Sequence, residues 1–176
     1  RGLGDVYKRQ DLQKSLESIT MALNSEDSET SHYAASVLCD ELNKFRSQVQ
    51  KMYTGMQQEG EEETDYEKMM LDYMNRVLSQ KVFTTLEQTK YVKMLEEATE
   101  SLYRKNRERI FVKQYEGLCL RLLELKKFPE TEKWCRRLVQ QHGNTLEAYT
   151  CQLKLYFTMG EREKFFQVMQ LSLIHI

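Results

Sequence analysis

From about Arg107 onward the chain copies itself at a distance of 34 residues. Shifted by 34, Val112 lands on Leu146, Tyr115 on Tyr149, Cys119 on Leu153, Leu122 on Tyr156, Leu123 on Phe157 and Leu125 on Met159. Six apolar positions superpose without a gap. Within each copy the apolar residues recur at helical spacing, and a unit of this length holds two helices and their turns. A single hairpin of that kind cannot bury its apolar face alone, so the copy predicts hairpins stacked side by side.

Composition narrows the rest of the chain in the same direction. Among 176 residues there are one proline, Pro129, and seven glycines. Sheet proteins need frequent turns, and turns need Gly, Pro, Asn and Asp. Here Glu, Lys, Gln, Leu and Met prevail, which lose little rotamer freedom in a helix. The expected fold class is therefore all-α: an α-solenoid of stacked antiparallel helical hairpins with one long helix.

Charge is balanced, with 26 Lys plus Arg against 27 Asp plus Glu. Long-range attraction to nucleic acid or anionic lipid is not expected from such a chain. No window of about 18 apolar residues occurs, so no span across a membrane is expected in this segment. The four cysteines, Cys39, Cys119, Cys135 and Cys151, form no CxxC pair. They fit a reducing, cytoplasmic compartment as small buried apolar groups. Cys119, Cys135 and Cys151 are spaced by 16, but each falls on a different predicted helix, and the regularity is read as chance.

Five segments follow from the breaks in pattern. Residues 1–10 (RGLGDVYKRQ) and 171–176 (LSLIHI) do not continue their neighbours' patterns and resemble translated sequencing-adaptor peptides. Within 11–59, a helix from Leu12 to Leu23 carries a stripe of Leu12, Leu16, Ile19 and Leu23. Asp27 or Ser28 can cap the long helix 28–58, whose Leu38, Leu42, Phe45, Val49, Met52 and Met56 form a heptad seam. The seam suits either a coiled-coil arm or packing on the chain's own helices; Met, Phe and Gly55 specify a coiled-coil partner poorly, which favours the second. Across 60–106 a helical pair is expected, opened by two capping-box patterns, Thr64 to Glu67 and Thr84 to Glu87. Residues 107–170 hold the two copies.

The turns of the copies add local chemistry. In Leu125-Lys126-Lys127-Phe128-Pro129, Pro129 sits in the first turn of a helix, where its missing N–H costs nothing. In the second copy Gly160 can take the left-handed helix stop. Between copies, His142-Gly143-Asn144 ends one helix, and Asn144 suits a cap. With this turn chemistry and the 34-residue period, the units resemble tetratricopeptide repeats, most closely over Leu122 to Tyr149. Thr131 and Phe165 stand where that family prefers alanine, and the five-residue carboxylate clamp of its chaperone-binding members has no match here. The stretch Leu16 to Leu38, with an acidic turn and His32-Tyr33-Ala34-Ala35 at the small-residue patch, resembles a HEAT-type hairpin. The whole order is similar to soluble tails of proteins found with Pel-type exopolysaccharide genes in Gram-positive bacteria. That resemblance implies an envelope assembly factor on the cytoplasmic face, with a membrane anchor upstream of this segment.

No catalytic constellation is visible: Gly-rich phosphate loops, GxSxG and HExxH are all missing. No cofactor and no metal site is expected. His32 is read as a helix-packing residue, Trp134 as core, and the Lys/Arg clusters at 104–109 and 126–137, diluted by glutamates, as solvated faces. In stacked hairpins the first helix of each unit lines a groove, which makes Tyr115, Leu118, Tyr149 and Gln152 the candidate partner-binding residues. The expected function is a non-catalytic scaffold that binds another protein or peptide. The alternative is a regulatory domain of a bacterial transcriptional activator, which a winged DNA-binding domain upstream would reveal.

Overall fold

A computed structural model describes residues 14–175. The adaptor-like segment 1–10, Leu12 and Ile176 lie outside the described residues. Among the described residues the chain is all-α, with eight α-helices, one short 3-10 turn and no strand. Helix α1 covers 14–23, α2 Ser28–Gln58, α3 Asp65–Leu78 and α4 Thr85–Asn106. The 3-10 turn Arg107–Arg109 leads into α5 Val112–Glu124, α6 Phe128–His142, α7 Leu146–Met159 and α8 Arg162–His175. The chain divides into two compact units between Ser101 and Leu102, five residues before the 106/107 boundary expected from the sequence. The long helix α2 and helix α3 both lie in the first unit.

In the first unit α2 packs on α3. Its seam residues Leu42, Phe45, Val49 and Met52 are buried, so the seam serves the chain's own core. Phe45 anchors an aromatic cluster, its ring centroid 5.5 Å from Tyr73 and 5.0 Å from both Phe83 and Tyr91. Burial pushes the Tyr73 phenol up to about 12. From α1, Leu16 and Ile19 are buried. The small-residue patch of α2 packs only in part: Ala34 is buried, whereas His32 and Tyr33 are exposed. His32 is thus not a packing residue; its position on α2 turns it away from the buried stripe.

The caps are decided residue by residue. The Asp27 carboxylate accepts the backbone N–H groups of Glu29 and Thr30, as a cap for α2 should. At α4, Thr84 Oγ1 accepts the Glu87 N–H at 3.3 Å, while the Glu87 carboxylate receives Arg46 at 2.7 Å. The box expected at Thr64 does not form, because Thr64 makes no side-chain cap bond. Glu67 is instead fully buried and accepts the Ser101 hydroxyl at 2.7 Å. A carboxylate taken into the core cannot also reach back to the cap.

In the second unit α5 packs on α6 and α7, α6 on α7, and α7 on α8. The 34-residue recurrence reaches the hydrogen bonds. Helix starts fall at Val112 and Leu146, then at Phe128 and Arg162. Lys127 N–H donates to Leu122 O at 2.9 Å, and 34 residues on Glu161 N–H donates to Tyr156 O at 2.9 Å. Lys126 N–H to Leu123 O and Gly160 N–H to Phe157 O repeat the same way. Both are Schellman stops, with Lys126 at φ 57° and Gly160 at φ 75° in the left-handed region. Between the hairpins the cap of α7 is Thr145, whose hydroxyl accepts the Ala148 N–H, and not Asn144.

Candidate functional site

Periodicity makes Tyr115, Leu118, Tyr149 and Gln152 neighbours of a groove; the structure places three of them inside. Tyr115 and Leu118 are fully buried and Tyr149 is buried. The Tyr115 hydroxyl donates to Gln141, and burial raises its phenol well above the usual tyrosine range. With α6 and α7 both against α5, the inward stripe of α5 meets side chains on more than one side and has none left for a ligand. Only Gln152 stays half-exposed. It stands on the wall of a small groove of about 160 Å³ between α6 and α7, opposite Glu132 and Arg136.

Trp134 is core, with no exposure. Tyr103 meets it edge-on at 6.2 Å, and the Arg137 guanidinium lies 3.9 Å from the Tyr103 ring centroid and 4.6 Å from that of Trp134. Lys133 lies 4.9 Å from the Trp134 ring. Two cations of the second basic cluster therefore lie over aromatic faces.

Cys119 on α5, Cys135 on α6 and Cys151 on α7 are all buried and lie near one another in the core of the second unit. A hydrogen bond with Cys151 and burial push the Cys119 thiol up, and burial with Cys151 nearby takes Cys135 to about 12. Such thiols are held protonated and are poor nucleophiles. Among the described residues no group of three or more His, Cys, Asp or Glu could hold a metal ion.

The open feature of the second unit lies at the turn from α7 to α8. A cleft of about 420 Å³ is lined by Tyr156, Phe157, Gly160, Arg162, Phe165 and Phe166. Phe157 and Phe166 are 77% and 56% exposed. Phe165 sits between them, 6.1 Å from Phe157 and 5.6 Å from Phe166, the second pair edge-on. Gly160 sets this geometry: its left-handed stop folds α8 back on α7 and leaves no side chain in the turn. Lys164 lies 5.7 Å from the Tyr156 ring centroid, and burial raises that phenol. The helical period marks these aromatics as apolar, but among the described residues no further helix covers Phe157 and Phe166. Four aromatic rings, Gly160 and Arg162 make up the walls of this cleft.

No helix among the described residues is long and apolar enough to cross a membrane. Compared with known proteins, the chain matches no family model, no curated protein and no solved structure.

Proposed function

We propose that the chain is a non-catalytic scaffold that binds another protein through the aromatic cleft between α7 and α8. The observation that carries this is the exposure of Phe157 and Phe166 around that cleft. Exposed aromatic side chains next to a pocket are the usual anchors of a protein interface. The tetratricopeptide-like recurrence supports the same reading, because stacked hairpins of that kind present binding surfaces rather than active sites. The perturbed groups of the second unit, Tyr115, Cys119 and Cys135, are shifted chiefly by burial and by one another, which suits a packing role. The setting we assign is a bacterial envelope polysaccharide assembly at its cytoplasmic face, on the strength of the stretch Glu26 to Leu38. Four free thiols go with a reducing compartment.

The test is capture from native lysate on the immobilised chain, compared with a Phe157→Glu/Phe166→Glu variant. A protein retained by the parent and released by the variant is the expected outcome. Equal retention on both would remove the cleft from the interface.

A further inference from the structure

We infer that Cys119 and Cys151 are an oxidation-sensitive pair: hydrogen peroxide joins them in a disulfide that staples the first helices of the two hairpins together. The inference stands apart from the partner-binding reading and uses none of its residues.

Three helices bring sulfur to one interior. Cys119 on α5, Cys135 on α6 and Cys151 on α7 are 2%, 3% and 2% exposed. Helix α7 packs against both α5 and α6, which encloses the three thiols together. Their contacts are unequal. Cys119 and Cys151 share a hydrogen bond, whereas Cys151 acts on Cys135 through charge. As packing groups, thiols behave like small apolar side chains. Sulfur against sulfur has one further chemistry that no other small apolar group has, which is to join. Cys119 and Cys151 belong to different hairpins, so their link fixes α7 on α5, the stacking on which a repeat array depends.

The closed core keeps the Cys119 thiol protonated, which makes the reaction slow and ties it to opening of α7. Hydrogen peroxide is small enough to enter then. One thiol loses its proton, and its thiolate attacks the O–O bond. A sulfenic acid forms, and the hydroxide released takes up a proton and leaves as water. The second thiol attacks the sulfenic sulfur: the S–S bond forms, the S–OH bond breaks, and hydroxide departs as water with the second thiol's proton. The two thiols lose two electrons, and one peroxide is reduced to two waters. In a reducing compartment such a bond is a transient, sensing one, and a small thiol reverses it.

The whole chain carrying Cys39→Ala tests this, because Cys39 is exposed and would otherwise link two copies. After peroxide and an acid quench, the unfolded protein is alkylated and its peptides are mapped. The expected map has one alkylated thiol, at Cys135, in place of three, and a peptide pair joined through Cys119 and Cys151. The melting temperature rises by on the order of 10 °C, and dithiothreitol returns it. Adding Cys135→Ala leaves the link in place, and adding Cys151→Ala abolishes it. Should the Cys151→Ala chain fail to fold, the map of its parent decides alone. Three alkylated thiols after peroxide overturn the inference, as does a link through Cys135 or a sulfinic acid at Cys119 or Cys151 without a link. A link that leaves the melt unchanged overturns the staple.

Discussion

Gly55 lies in the last turn of α2, where a larger residue would meet the Tyr66 ring. The Tyr66 ring rests flat against it, and a Cβ at that position would meet Tyr66 carbons at 2.5–2.6 Å. Gly55→Ala should therefore destabilise the first unit by about 1–3 kcal/mol, the usual cost of overpacking, despite the better helix propensity of alanine. A urea melt of the variant checks this, and an unchanged midpoint would mean that the ring swings aside freely. Buried acids set a second residue-scale expectation. Tyr73 and Cys135 are held neutral, each with its folded value raised to about 12. In the unfolded chain they ionise near 10.0 and 9.0, so ionisation favours unfolding first. Their stabilisation is complete below those values and is lost as pH rises toward about 12. The melting temperature should be flat at neutral pH and fall progressively above about 9.

At the scale of elements the two helix stops make a matched pair. Gly160 takes the left-handed backbone at no steric cost, whereas Lys126 takes it with a side chain attached. Lys126→Gly should gain up to about 1 kcal/mol and Gly160→Ala should lose about 1 kcal/mol, by thermal denaturation. Opposite signs at positions related by the repeat would be hard to obtain without a shared turn. Much of this scale is legible beforehand. The bounds of α2 come out at 28–58 because a capping aspartate precedes it and a glycine in an acidic run follows it. The reading errs where one residue has two possible partners. Glu67 prefers Ser101 to its own cap, and Thr145 displaces Asn144. It errs also over the groove, since a helical period tells which side of α5 is apolar but not how many neighbours press on it. Tyr115 and Leu118 are hidden for that reason. The aromatic cleft has the converse cause: Phe157 and Phe166 look like core by period and are left outside by the absence of a covering helix among the described residues.

At the largest scale each of the two units has a core that can be described by itself. Phe45 and its ring cluster hold the first, while Trp134, Tyr115 and Leu138 are buried in the second. Leu122, 3% exposed, belongs to the second core. Leu122→Asp places a carboxylate there without a designed partner, at a cost of several kcal/mol on the order of magnitude. The expected outcome is a lower melting temperature with part of the far-UV helical signal lost. An unchanged melt would contradict the stacking of α5 on α6 and α7. The four thiols are unequal, for Cys39 is open on α2 while Cys119, Cys135 and Cys151 are sealed in the second unit. A maleimide dye would thus attach at a single place on the native chain. The other three sites react only when the C-terminal helices part, so the kinetics of their alkylation would report how often that half breathes.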